Sequence, residues 1–290
     1  MKEIITLLRP HQYVKNLFLF FPAFFALRIT EIDVWLKLGL AFVAFSAIAS
    51  AVYILNDYLD RKADAQHPVK KHRPLAAGTV SSTTAFLLMS GLLIFGLSIF
   101  AFLSKQALYL VTAYVAMNIL YSIKLKHIPI LDIFIIALGF VIRIGLGAVS
   151  VERQIPLSMW IVLMTFLGAL FIALAKRRDD VRLAEEGLQV RKSISGYNLP
   201  FINGAMMIMA SVLIVSYISY TISPEVQARF GSKYLYISVG FVIMGLFRYL
   251  QITFVEERSG SPTKILLSDV FLQLTIIGWL GLLFWLIYLA

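Results

Sequence analysis

Nine apolar stretches recur along the chain, at roughly 15–29, 36–56, 83–103, 106–122, 129–150, 156–175, 200–222, 233–252 and 268–289, with polar residues between them. A helix crossing a ~30 Å hydrocarbon core needs about 20 such residues, fewer where flanking side chains reach the interface. The pattern therefore predicts an all-α polytopic membrane protein with nine transmembrane helices. The first stretch is the shortest, and with Met1-Lys2 ahead of it the start has the outline of a signal peptide. Many spans follow and no convincing small-residue cleavage site is present, so a short first span completed by interfacial residues is expected. The third and fourth stretches are separated only by Ser104-Lys105-Gln106. No low-complexity segment or linker breaks the series, so residues 1–290 are expected to form a single transmembrane domain.

Composition agrees: the chain is 60% hydrophobic and 14% charged, with a mean hydropathy of +0.84. A soluble globular chain is nearer 45–50% apolar and about a quarter charged. Lys and Arg outnumber Asp and Glu by 26 to 16, but in such a chain the location of the cations matters more than their sum, and no nucleic-acid partner is implied. With the N-terminus inside, the inner segments hold 19 Lys and Arg and the outer ones six. That bias predicts a cytoplasmic N-terminus. Twelve of the 16 carboxylates fall on the same inner side, which places a polar cap, and any ionic site, at the cytoplasmic face. The absence of cysteine excludes disulfides, thiolate metal sites and cysteine nucleophiles.

The candidate chemistry lies where the second stretch ends, in Asn56-Asp57-Tyr58-Leu59-Asp60-Arg61-Lys62-Ala63-Asp64. Ionisable residues at a lipid-length helix are functional by default. If the helix continues, Asn56, Asp60 and Asp64 follow at i, i+4 and i+8 and share a face, with Asp57 one turn from Asp60. Several hard oxygens facing one cavity suit Mg²⁺, which binds a few carboxylates together with substrate phosphate oxygens. A solvated helix end pairing its acids with Arg61 and Lys62 has the same pattern. Immediately downstream, Lys70, Lys71 and Arg73 stand between Pro68 and Pro74 as donors for a phosphate-rich substrate; a topology signal binding anionic membrane lipids reads the same way. Tyr121 and Lys126 offer further donors, or an aromatic belt with snorkelling lysines. Asp132 and Arg143 lie eleven residues apart in the fifth stretch, too far to pair along one helix. An acidic and basic segment recurs after the sixth stretch as Lys176-Arg177-Arg178-Asp179-Asp180-Val181-Arg182-Leu183-Ala184-Glu185-Glu186, where salt bridges on a surface helix compete with a substrate role. The histidines form no zinc pattern, and the chain has no Walker A, GxSxG or strand–GxGxxG–helix motif.

At these residues the chain resembles the UbiA superfamily of intramembrane prenyltransferases, whose first motif, NDxxDxxxD, is matched by Asn56, Asp57, Asp60 and Asp64. Within it the flanking text is similar to the decaprenyl-phosphate phosphoribosyltransferase branch, through RPHQYVKN (Arg9–Asn16), NDYLDRKADAQHPVKKHRPLAAG (Asn56–Gly78), YSIKLKHIPILD (Tyr121–Asp132), LAKRRDDVRLAEEG (Leu174–Gly187), RKSISGY, RYLQITF and KILLSD. These segments run over nearly the whole chain. The second DxxxD motif usual in aromatic prenyltransferases is absent, since Asp179 and Asp180 are followed four residues later by Leu183 and Ala184.

The resemblance implies nine helices around a central cavity, with Mg²⁺ and a diphosphate at the cytoplasmic side. It further implies transfer of 5-phosphoribose from 5-phosphoribosyl diphosphate to a polyprenyl phosphate, for cell-envelope glycan precursors. Asp57, Asp60 and Asp64 would hold the metal, with Asn56, Asp57 and Asp60 as the catalytic set. Lys70, Lys71 and Arg73 would hold the phosphates of the donor, and Lys15, Lys126, Lys176 and Arg177 the lipid phosphate. Tyr121, Arg143 and Asp180 complete the expected substrate contacts. Two other readings stay open: prenyl transfer from a polyprenyl diphosphate to an aromatic or quinone-precursor acceptor, and a lipid transporter without catalysis.

Overall fold

Serine, asparagine and aspartate side chains set the helix boundaries in the computed structural model, which describes residues 2–66, 70–187 and 192–289, with the side chain of Lys192 left aside. Pro68 and Arg191 lie outside the described residues. Ser104 ends one helix and caps the next: its hydroxyl accepts the Ala107 amide at 3.0 Å and donates to the Val149 carbonyl at 2.7 Å. Ser81, Ser158, Asn198 and Asp269 cap four more helices in the same way, satisfying amides that a helix start leaves without partners.

The chain forms two compact units, residues 1–157 with 187–193, and residues 158–186 with 194–290. The first holds α1 (Lys2–Leu8), α2 (Phe21–Phe25), α3 (Ile32–Ala65), α4 (Ser82–Leu103), α5 (Lys105–Ile123) and α6 (Leu131–Val149). The second holds α7 (Met159–Glu185), α8 (Leu199–Ile222), α9 (Pro224–Phe230), α10 (Val239–Phe254), α11 (Pro262–Ser268) and α12 (Val270–Tyr288). Eight helices among the described residues are long and apolar enough to cross a membrane: α3 to α8, α10 with the 3₁₀ turn before it, and α12. Leu87, Phe102, Ile94 and Ile277 are among many large apolar side chains left exposed, a surface that lipid covers. The protein is an integral, multi-pass membrane protein.

The first expected span, 15–29, takes a different form. Residues Pro10–Phe20 make a 3₁₀ helix that runs into the five-residue α2. A 3₁₀ helix rises about 2.0 Å per residue and an α-helix about 1.5 Å, so laid end to end the two reach about 30 Å with fewer residues than an α-helical span. Packing holds this uncommon element in place. Leu19 is fully buried, and its carbonyl lies so close to Gly147 of α6 that a Cβ there would stand 1.9 Å from the oxygen. Gly96 lets α4 approach α3 in the same way, its absent Cβ falling 2.7 Å from the Ala44 carbonyl.

α3 and α7 outrun their apolar stretches. At about 1.5 Å per residue, the 34 residues of α3 reach about 50 Å, so its last turns carry the acidic motif on continuous helix. The charged segment Lys176–Glu185 likewise extends α7 without a break. In the second unit the segment after α10 is fastened to that extension. Ser259 donates to the Ala175 carbonyl (2.8 Å), Arg178 to the Thr253 carbonyl (2.8 Å) and Arg182 to the Glu257 carbonyl (3.0 Å).

Candidate active site

Four residues at the end of α3 fall within a sector of about 100°, since each residue turns the helix by about 100°: Asn56, Asp60, Asp64 and Asp57 in angular order. Asp57 and Asp64 are seven residues apart, only about 20° around the helix and two turns along it. Arg73 joins them, its Nη1 donating to Asp57 at 2.9 Å and to Asp64 at 2.7 Å. Asp57 also accepts from Arg9 Nη2 at 2.6 Å. Asp57 is 2% exposed, and a carboxylate so enclosed is sustained only by such paired, hydrogen-bonded cations.

The other two residues are served by Lys126, which donates to Asp60 at 2.5 Å and to Asn56 at 3.4 Å. Lys126 comes from the 3₁₀ turn Leu125–His127 that follows α5 and is itself buried. The four polar residues, aligned on one face in the sequence, are thus shared between two cationic clusters. Among the described residues, no three acidic or histidine side chains converge on a single point. The donors still fit a hard divalent ion in kind: three carboxylates on one sector, two of them already bridged by a positive charge at Arg73.

Deeper in the first unit stands Arg143, 5% exposed. It donates through Nε to Asn16 (3.1 Å), through Nη1 to the Gly139 carbonyl (2.7 Å) and through Nη2 to the Tyr114 hydroxyl (3.4 Å). The rings of Phe45, Phe140 and Tyr114 lie 4.9, 5.0 and 5.5 Å from its guanidinium carbon. Asp132, in the first turn of the same helix, accepts from Ser193 at 3.4 Å. The two intramembrane charges of α6 therefore find separate partners. Lys70 and Tyr121 are half-buried and Lys71 is exposed.

In the second unit Arg177 pairs with Asp180 across one turn. Arg182 bridges Glu186 (3.6 Å) and Glu257 (3.1 Å). On the segment after α10, the Arg258 and Arg248 side chains bonded to Glu256 hold its carboxyl below the usual carboxylate range.

Arg9 and Asn16 belong to this geometry without standing out as site residues in the sequence. Arg9 precedes Pro10 in a left-handed conformation (φ 55°) that costs a non-glycine residue free energy, and it is turned there onto Asp57. Asn16 is a fully enclosed amide bonded to Ser46 at 2.9 Å and to Arg143. An amide at the edge of an apolar stretch was one signal in the sequence, because a buried polar group must find partners, and the segment RPHQYVKN was the other.

Long apolar helices with carboxylates and guanidinium groups interleaved at the end of one of them define an intramembrane protein with an enclosed ionic cluster. A profile of the UbiA prenyltransferase family matches residues 16–275, and the chain belongs to that family; it is a transferase. The decaprenyl-phosphate phosphoribosyltransferase of Mycolicibacterium smegmatis is 32% identical over 290 residues, covering 96% of this chain and 90% of that protein. That of Corynebacterium glutamicum is 32% identical over 286 residues, covering 95% and 84%. Among solved structures, a UbiA homolog from Archaeoglobus fulgidus bound to GPP and Mg²⁺ superposes with a TM-score of 0.70 at 17% identity, covering 97% of this chain and 99% of that one. That likeness is one of fold.

Proposed function

We propose that this protein, acting as a single transferase domain with its N-terminus and site at the cytoplasmic face, moves 5-phosphoribose from 5-phosphoribosyl diphosphate to a decaprenyl-type polyprenyl phosphate, releasing diphosphate. The product would serve cell-envelope glycan assembly. The observation that carries this reading is the alternation of charge at the end of α3, where Asp57, Asp64 and Asp60 are matched one for one by Arg9, Arg73 and Lys126. Carboxylates suited to a metal and guanidinium groups suited to phosphate oxygens stand on one sector of one helix. The identity to relatives of that activity over nearly the whole chain supports it.

Asp57, Asp60 and Asp64 would hold Mg²⁺, which when bound supplies charge stabilisation for the departing diphosphate. Arg73 and Arg9 grip the diphosphate with bidentate geometry, while Lys70 and Lys71 hold the 5-phosphate as mobile point charges. Asn56 and Lys126 fix the orientation of Asp60. An oxygen of the lipid phosphate attacks the anomeric carbon, and the bond to diphosphate breaks with its electron pair leaving on oxygen. The nucleophile is already anionic, so no side chain has to remove a proton. Lys15, Lys126, Lys176 and Arg177 are the candidates for holding that lipid phosphate, with Arg143, Tyr121 and Asp180 contributing to the substrate surroundings.

Purified protein given labelled 5-phosphoribosyl diphosphate and decaprenyl phosphate should yield a charged labelled lipid with Mg²⁺ and none with chelator. Asp57→Asn should lower the rate at least about 100-fold, the range lost with a transition-state charge contact. Absence of labelled lipid across several chain lengths would sink the reading. So would turnover only with a polyprenyl diphosphate and an aromatic acceptor.

A further inference from the structure

Two cations where the 3₁₀ helix packs on α6, Lys15 and Arg143, stand without a carboxylate partner among the described residues. Asp57, Asp64 and Asp60 are answered by Arg9, Arg73 and Lys126. Arg143 has no carboxylate partner: its contacts are an amide, a backbone carbonyl, a phenol and three ring faces. Lys15, in the 3₁₀ helix beside it, makes no hydrogen bond or ion pair with any described residue, and its chain neighbour Asn16 is bonded to Arg143 at 3.1 Å. Of Arg9, Lys15 and Arg143, only Arg9 has a carboxylate partner among the described residues.

Two like charges held near each other in a half-buried or buried setting raise the free energy of both unless an anion joins them. The fold retains the pair anyway and locks one member. Arg143 is fixed by three hydrogen bonds and three rings and cannot swing away, whereas Lys15 is half-buried on a flexible stem. A fixed charge behind a mobile donor is suited to receiving a ligand. Two positive charges held together suit a phosphate monoester, which carries about −1.5 to −2 near pH 7. Its depth says which one. Arg143 stands twelve residues into α6, about 18 Å along the helix, among Phe45 and Phe140, with Phe18 stacked edge-on against Phe140 at 5.2 Å.

We infer that Lys15, with the locked charge of Arg143 behind it, is the seat of the phosphate of a membrane-embedded polyprenyl monophosphate, separate from the aspartate cluster. The inference deepens the proposed phosphoribosyl transfer and rests on it for the role of that lipid as acceptor. It also favours Lys15 over two of the other candidate cations. Lys126 is bound to Asp60 and Arg177 to Asp180; Lys15 has no such engagement. The lipid oxygen would then approach from the deeper side, opposite the diphosphate, as an in-line displacement requires.

The experiment compares binding of decaprenyl phosphate and neutral decaprenol to the full chain in nanodiscs by native mass spectrometry, without donor or metal. The wild type should prefer the phosphate. Lys15→Met should shrink that preference about 10- to 100-fold, the loss expected for one charge-assisted hydrogen bond, with decaprenol retention unchanged as the sign of an intact fold. Lys15→Arg should keep most of it, and Mg²⁺-dependent binding of 5-phosphoribosyl diphosphate should be the same in all three. An unaltered preference in Lys15→Met overturns the inference, as does an equal loss of donor binding. Tighter retention of decaprenyl diphosphate than of the monophosphate would give the seat to a donor lipid and overturn it too. Selective phosphate binding without phosphoribosyl transfer would instead sink the transfer reaction while leaving the seat in place.

Discussion

At the scale of single residues the site is a set of ion pairs of unequal burial, and inequality has measurable consequences. In the Lys126–Asp60 pair the lysine side chain is 3% exposed and the aspartate 24%. Removing the carboxylate strands an ammonium in a closed environment, a defect of about 3–5 kcal/mol. Removing the lysine leaves a carboxylate that regains water, at about 1–3 kcal/mol. Asp60→Ala should therefore destabilise more than Lys126→Met, and the double variant should be more stable than Asp60→Ala alone, because the stranded charge is gone. Unfolding in mixed micelles reads all three; equal single losses that simply add would contradict this account. The asymmetry also shows what the sequence could and could not convey. The acids of Asn56–Asp64 were legible because carboxylates at the end of a lipid-length helix have few bland explanations. Their division into an Asp57–Asp64 cluster and an Asn56–Asp60 cluster was not, because it depends on which distant cation arrives. Arg73 is nine residues from Asp64, but Arg9 and Lys126 come from 48 and 66 residues away, and nothing in local spacing encodes that meeting.

At the scale of elements, apolar run length predicted helices well wherever the run was also an α-helix. The expected break at Ser104-Lys105-Gln106 resolves into one residue, because a serine that both ends α4 and caps α5 needs no linker. The first span was harder to read. Its apolar content is that of a short membrane segment, but its 3₁₀ winding is imposed by packing against α6, with Gly147 leaving room for the Leu19 carbonyl. Hydropathy counts residues and not rise per residue, so it marked an apolar segment here and missed its winding. Gly147→Ala should tear at this contact, since a Cβ 1.9 Å from a carbonyl oxygen forces backbone to move. The expected loss is at least about 1–3 kcal/mol, the range for overpacking a core. It should bring reduced binding of the lipid phosphate, because Lys15 and Asn16 ride on the displaced segment. Gly91→Ala in α4, where nothing lies within 4 Å, is the matched control and should be neutral or stabilising by up to about 1 kcal/mol. Thermal unfolding in nanodiscs separates the two; a neutral Gly147→Ala would mean that the close approach does not hold the segment.

At the scale of the whole molecule, the distribution of charge makes a claim about orientation that each unit can be asked to meet independently. Nineteen of the 26 Lys and Arg lie in segments assigned to the inner face, and so do 12 of the 16 carboxylates. Only the cations set topology, because basic loops resist translocation whereas acidic residues weigh little. Under the proposed function the acids would follow the cations for a different reason: a site for multiply charged phosphates needs both signs, and its soluble donor would come from the cytoplasm. The absence of native cysteine allows a direct test. Lys124→Cys in the first unit and Glu185→Cys in the second, both at exposed positions, should resist a membrane-impermeant maleimide in intact cells and react once the cells are opened. Gln154→Cys and Glu225→Cys, exposed and at the other ends of their spans, should react from outside in intact cells. The reverse pattern in both units would place the aspartate cluster at the outer face and remove the case for a cytoplasmic donor. A reversal in one unit alone would mean that an odd number of crossings does not separate Gln154 from Glu185. Agreement at all four positions would put the end of α3 and the charged extension of α7 on the same side of the membrane, where a soluble phosphorylated sugar can reach them.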